Sequence, residues 1–221
     1  MFDAIGLWCI DFAERFKLNF IDDNQWRYLW DGLKVTITIT FFALILGVVL
    51  GFVLAMIRTT YDKTKNSNSG GKLYHMILGF FNGCAKLYLT VIRGTPVVVQ
   101  LLIIYFVIFG SVSINKTFVA VIAFGLNSAA YVAEIFRSGI MSVDPGQAEA
   151  GRSLGLNYNQ TMGKIILPQA LKNVLPALGN EFIVLFKETS VAGYIALQDL
   201  TKGGDIIRSR TYDAFMPLIA V

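Results

Sequence analysis

The chain has 221 residues, of which 55% are hydrophobic and only 15% charged, with a mean hydropathy of +0.58. A soluble domain carries about 25% charged residues, so these values exclude an ordinary soluble fold and point to an integral membrane protein. The net charge of +4 does not call for nucleic acid, because basic loops also set membrane orientation. The two cysteines, Cys9 and Cys84, lie far apart and offer neither a metal spacing nor a disulfide framework.

Residues 1–31 carry Asp3, Asp11, Glu14, Asp22, Asp23 and Asp31 against Arg15, Lys17 and Arg27. A secretory signal needs a basic start and a clean apolar core, so none is read here. Phe2, Ile5, Trp8, Cys9, Phe12 and Phe16 recur at helical spacing. Either an amphipathic helix on the membrane surface or a small packed cap accounts for that pattern. The chain divides into this N-terminal segment, 1–31, and a membrane domain, 32–221.

Val35 to Ile57 is uncharged for 23 residues, enough to cross a bilayer core of about 30 Å at 1.5 Å per residue. Gly47, Gly51 and Ala55 recur every four residues and suit close approach by another helix. Arg58 to Lys72 reads as a polar loop with four bases, Arg58, Lys63, Lys65 and Lys72, against Asp62. That excess places the loop in the cytoplasm and the amino terminus outside. Leu73 to Ile92 reads as an approach helix interrupted at Asn82, Gly83 and Lys86. His75, the single histidine, sits near this basic interface and suggests neither catalysis nor metal binding. Pro96 opens a second span to about Phe109, Ser111 to Lys116 forms an outer turn, and Thr117 to Phe136 returns inside. Pro168 to Lys187 goes out again. Val191 to Tyr212 is then external, in short helical pieces, and Asp213 begins a last helix.

Between the third and fourth spans, Asp144 can cap a helix that has Pro145 at its first position, with Gln147 placed as a capping-box partner. Gly155 suits the left-handed residue that closes this helix. Asn157 with Gln160 offers a second cap. The expectation is two short helices around a glycine turn, ahead of Pro168.

Two polar stripes lie within the spans. Asn127, Tyr131 and Glu134, at i, i+4 and i+7, share one helical face, with Ser128 beside them. Asn173, Asn180 and Lys187 form a second stripe flanked by Glu181, on a helix weakened by Pro176 and Gly179. An ionised carboxylate near mid-membrane costs at least about 2.5 kcal/mol, so Glu134 should face protein or water, or pair with Arg137 or a loop base. The stripes form a substrate pathway at a subunit interface, or they only bond helices together; their occurrence together favours the pathway. Arg93-Gly94-Thr95-Pro96 reads as a structural turn with an interfacial anchor. No catalytic set emerges. Gly70-Gly71-Lys72 is followed by Leu73 and lacks the earlier glycine of a phosphate loop, and no histidine completes a triad. The chain is not read as an enzyme, and the energy for any transport must come from a partner or an ion gradient.

Glu149-Ala150-Gly151, then Gly155, then Ile165-x-Leu167-Pro168 resembles the EAA loop of the membrane subunits of bacterial ABC importers, with Gly151 standing for the second alanine. Arg93-Gly94-Thr95-Pro96 with VVVQLL, Asn127-Ser128-Ala129-Ala130-Tyr131, Ala133-Glu134-Ile135-x-Arg137-x-Gly139-Ile140, Gly179-Asn180-Glu181-Phe182 and Lys187-Glu188-Thr189-Ser190 look like the polar amino acid branch. The resemblance runs from about Trp30 to the end of the chain. It implies an all-α integral membrane fold, an ABC importer type I transmembrane domain of about five helices, with a cytoplasmic coupling loop at 141–168. Within that loop Glu149, Ala150, Gly151, Leu154, Gly155, Leu156, Ile165, Leu167 and Pro168 would meet the ATPase. It implies a permease subunit importing a polar amino acid across the bacterial cytoplasmic (inner) membrane, multi-pass, embedded in membrane lipid. The expected partners are an ABC ATPase subunit, a second permease subunit (homodimer or heterodimer) and an extracytoplasmic amino-acid-binding protein. ATP and Mg would be bound by the partner ATPase, and no cofactor by this chain. The family finishes with a fifth span and a basic tail. Here the chain stops at Val221, and the nine residues from Asp213 cannot cross a bilayer, so the last helix is expected to be incomplete. The rival readings are a secondary transporter or channel for a polar solute, and a membrane scaffold that transports nothing.

Overall fold

The computed structural model describes residues 10–64 and 71–221 and is helical throughout, with no strand among the described residues. In chain order the elements are α1 (Trp26–Thr64), α2 (Lys72–Gly94), α3 (Val97–Leu102), α4 (Lys116–Met141), α5 (Pro145–Ser153), α6 (Tyr158–Thr161), α7 (Leu167–Glu188), α8 (Leu200–Thr211) and α9 (Phe215–Ala220). Wide π-turns continue α3 over Ile103–Ile108 and α6 over Met162–Ile166, and a 3₁₀ segment, Thr189–Ile195, follows α7. By length and composition α1, α2 and α4 are able to cross a membrane.

The centre of the fold is α1 against α4. The stripe read at Gly47, Gly51 and Ala55 faces α4. A Cβ at Gly47 would lie 2.8 Å from Ser128 Oγ, and one at Gly51 would lie 2.7 Å from Val132 Cγ1. Ala55 is fully buried beside Val132, Phe136 and Val174. With lipid tails as apolar as leucine, helices in a bilayer gain most by such close packing. Further along α1, Ile39 and Ala43 pack with Val119, Ala123 and Phe124 of α4 and Leu101 and Ile104 of the α3 region.

α1 has 39 residues, a length of about 58 Å at 1.5 Å per residue, and it separates two ends of the molecule. At its N-terminal end lies α8, whose Leu200 N–H donates to Thr36 Oγ1 (3.1 Å). The N-terminal segment docks here too. Phe20 is buried with Ile207 and Met216, and Asn19 Nδ2 donates to Asp213 (3.0 Å). Phe12 and Phe16 stay exposed, while Phe2, Ile5, Trp8 and Cys9 lie outside the described residues. The segment is therefore partly a packed cap, and α1 already begins at Trp26, ahead of the division drawn at 31.

Three expectations need correction. Arg58 to Thr64 is not loop but the last turns of α1; of the stretch 58–72, residues 65–70 fall outside the described residues. α2 runs unbroken through Asn82, Gly83 and Lys86, because none of them is a proline and a single glycine costs a helix only about 1 kcal/mol. α7 likewise passes through Pro176 and Gly179 without interruption. The break falls instead between α2 and α3. Thr95 precedes Pro96 and is extended (φ −119, ψ 143), as steric contact with a proline ring demands of the preceding residue.

Candidate coupling surface and polar core

The helix–turn–helix of α5 and α6 is built by local signals. Asp144 accepts from the Gly146 N–H (2.7 Å), with Pro145 at the first helical position. Gln147 does not join this cap; its Oε1 accepts from Gln169 Nε2 (3.3 Å). Gly155 has φ +77. The Gly155 N–H donates to Arg152 O (2.9 Å) and the Leu156 N–H to Gly151 O (3.0 Å), the paired bonds of a Schellman closure. Asn157 and Gln160 form a reciprocal capping box.

Tertiary contacts then lock the two helices. A Cβ at Gly151 would stand 2.7 Å from Thr161 Cγ2, so the departure from Glu-Ala-Ala is matched to the residue opposite. Met162, Ile166 and Ala170 are buried with Ile140 of α4, and Met56 and Leu167 pack against them. Tyr158 lies under Lys63 of α1, 5.7 Å from ring to ammonium. Burial raises the Tyr158 phenol pKa, a bond with Thr60 lowers it in part, and Tyr74 adds to the rise. Glu149, Ala150 and Pro168 are exposed, Leu156 and Ile165 half-buried. Leu154 is 78% exposed at the tip. The result is a packed hairpin with an exposed apolar tip at Leu154.

The polar residues of the spans separate into three groups. Asn127 is buried (3% exposed) and its Nδ2 donates to Gln100 Oε1 (3.0 Å). Gln100 Nε2 donates to the carbonyls of Ile92 (2.7 Å) and Thr95 (3.0 Å) and to Thr95 Oγ1 (2.7 Å). The helix break thus has its free carbonyls satisfied by one side chain, as a backbone away from water requires. In the second group, Ser128 Oγ donates to Glu181 Oε1 (2.7 Å), and both residues are buried. In the third, Glu134 lies within ion-pair range of Arg58 (3.8 Å), Arg93 (3.9 Å) and Arg137 (3.8 Å). Arg137 also meets Asp62 at 3.7 Å. Tyr131 lies 5.7 Å from the Arg93 guanidinium. Asn173 Nδ2 donates to Ser142 Oγ (2.8 Å), and Asn173, Asn180 and Lys187 are exposed along α7.

The face expected for Asn127, Tyr131 and Glu134 is therefore divided. Asn127 is turned into the bundle and does not meet open space, because it must hold Gln100. Tyr131 and Glu134 belong to the arginine group. Glu181 points inward to Ser128, away from the stripe it was set beside. Gln100 was missed by the sequence reading. Its signal was a glutamine in an apolar run four residues after a proline, where a broken helix needs a donor.

A profile described as binding-protein-dependent transport system inner membrane component matches residues 74–221. The chain belongs to this family. As a permease component of an ABC transporter it is a membrane protein, and the rival readings of secondary transporter, channel or scaffold fall away. The permease is 37% identical over 197 residues to the arginine transport system permease protein ArtQ of Bacillus subtilis, covering 88% of this chain and 83% of that one. It is 38% identical over 194 residues to a putative glutamine transport system permease protein GlnP of Rickettsia typhi (87% and 82% covered). Among solved structures it is similar to an amino acid ABC transporter crystallised with histidines, at TM-score 0.73 and 42% identity (87% and 83% covered). An inward-facing MetNI methionine ABC transporter shares the fold at TM-score 0.69 and 19% identity, over 87% of this chain and 86% of that one.

Proposed function

We propose that this permease imports a polar amino acid across the bacterial cytoplasmic membrane and is driven by ATPase subunits on separate chains that grip the α5–α6 hairpin. ATP and Mg would be bound there and not by this chain. A second permease subunit completes the pathway, and an external binding protein delivers the substrate. The names of the relatives support the substrate class. The hairpin end faces the cytoplasm, and the amino terminus with α8 faces outward; the basic residues Arg58, Lys63 and Lys72 near the hairpin end support this orientation. Closure of the ATPases moves the hairpin and α7 together, because α6 runs on through Met162–Ile166 into α7 without a break. Transport is then a shift between two packings of the bundle, driven by the unequal affinity of ATP for them.

The observation that carries the coupling reading is Leu154, a leucine 78% exposed on a turn held by Gly155 at φ +77. Such a tip suits a groove on a partner. The test replaces Gly155. Valine at positive φ is unfavourable by about 1 kcal/mol or more, whereas asparagine tolerates the left-handed region. Gly155→Val should insert normally, retain the ATPase poorly on co-purification and lose binding-protein-stimulated ATP hydrolysis. Gly155→Asn should stay near parental in both. Parental docking and hydrolysis in a properly inserted Gly155→Val protein would show that the hairpin is not the coupling element.

A further inference from the structure

The arginine group borders a cavity of about 540 Å³ lined by Arg58, Lys86, Leu89, Thr90, Arg93 and Glu134. Its lining has three bases against one acid. Glu134 is shared among three guanidinium groups at 3.8–3.9 Å, longer than the roughly 3.2 Å limit of a good N–H···O bond. Arg58 Nε and Arg137 Nε are buried with no hydrogen-bond partner. An arginine carries five donors and no acceptor, so the group holds more positive charge and more donors than its own carboxylates satisfy. A ligand that balances it must be an anion rich in oxygen acceptors.

The place of the cavity narrows the class. Arg58 directly follows the uncharged run Val35–Ile57, at the level where a bilayer core gives way to headgroups. Lys86, Thr90 and Arg93 lie at i, i+4 and i+7 on α2 and form one face of that helix. Adjoining it, Leu87 and Val91 are 66% and 50% exposed, an apolar patch beside the basic mouth. A phosphate between arginines with hydrocarbon alongside is the signature of a phospholipid. Guanidinium groups bind phosphate bidentately, and basic pockets between membrane helices hold anionic headgroups.

We propose that this cavity binds the phosphate headgroup of an anionic phospholipid in the leaflet on the hairpin side, with its acyl chains against Leu87 and Val91. Bound there, the lipid ties α1, α2 and α4 together beside the α2–α3 break, so the lipid composition sets the stability of that junction.

The test uses the full-length permease in its transporter complex. Retention of phosphatidylglycerol and phosphatidylcholine is compared by native mass spectrometry, with inorganic phosphate titrated in a separate arm. The parent should retain phosphatidylglycerol in preference. Arg58→Gln and Arg93→Gln should each weaken that retention about tenfold, the loss expected of one charge-assisted contact. Lys86→Gln, at an exposed rim position that cannot disturb folding, should weaken it to a smaller extent, and Lys172→Gln on α7 should leave it unchanged. Equal retention of the two lipids by the parent would overturn the proposal. So would parental selectivity in Lys86→Gln together with whichever arginine variant assembles. Arginine-dependent binding of inorganic phosphate without preference for phosphatidylglycerol would assign the cavity to a free oxyanion and refute the lipid site.

Discussion

Asn127 and Gln100 are joined by a hydrogen bond of 3.0 Å, and through it α4 holds the carbonyl groups freed by the break between α2 and α3. Both side chains are buried. A buried polar group left without a partner costs about 1–3 kcal/mol.

Gln100→Leu should therefore lower stability by about 2–4 kcal/mol, since it strands two carbonyls and the Asn127 amide. Asn127→Leu strands only Gln100 Oε1 and should cost about 1–3 kcal/mol. The double variant should lose less than the sum, because residues in one hydrogen-bond network do not act additively. Thermal unfolding of the purified complex measures all three. Strict additivity would mean that the pair does not act as a unit.

Gly151 makes a second pairing visible only in three dimensions. Gly151→Ala brings a Cβ to 2.7 Å from Thr161 Cγ2, and overpacking of this kind costs about 1–3 kcal/mol. The variant should loosen the hairpin and become more sensitive to proteolysis between α5 and α6. Adding Thr161→Ala should restore resistance by removing the group in the way. A Gly151→Ala protein as resistant as the parent would show that Thr161 yields freely.

Asp199 caps α8, accepting from the N–H groups of Thr201 (3.2 Å) and Lys202 (3.1 Å). Burial raises its carboxyl pKa from 3.8, and the hydrogen bonds offset this only in part. A carboxyl whose folded pKa lies above its unfolded value contributes most below the unfolded pKa and loses that contribution as pH rises through the folded one. Asparagine caps as well as aspartate and does not titrate. The stability of the parent relative to Asp199→Asn should fall as pH rises from below 4 toward neutrality. A melting-temperature difference that is flat with pH, or rises, would remove burial as the governing cause.

The two ends of α1 predict labelling from opposite sides. In a background with Cys9 and Cys84 replaced by serine, Leu154→Cys at the hairpin tip and Tyr194→Cys beside α8 are both exposed positions, 78% and 68% in the parent. An impermeant thiol reagent on intact cells should modify only Tyr194→Cys. Modification of Leu154→Cys would invert the orientation.

The division between sequence and tertiary structure follows the range of the forces involved. Helix ends were legible where the signal is local. The Asp144 cap, the left-handed Gly155 and the Asn157–Gln160 capping box each depend on residues within a few positions, and each forms as its pattern requires. The close approach at Gly47, Gly51 and Ala55 was legible as periodicity. Periodicity did not reveal which helix would fill the stripe, nor that Thr161 leaves room for nothing larger than glycine at 151. The polar stripes show the limit most clearly. Spacing put Asn127, Tyr131 and Glu134 on one face, but a face as broad as seven residues of α4 touches several neighbours at once. Whether a polar side chain bonds to a helix break, a buried carboxylate or three arginines depends on donors and acceptors that arrive from distant segments. Gln100 lies 27 positions from Asn127, and only folding brings them together.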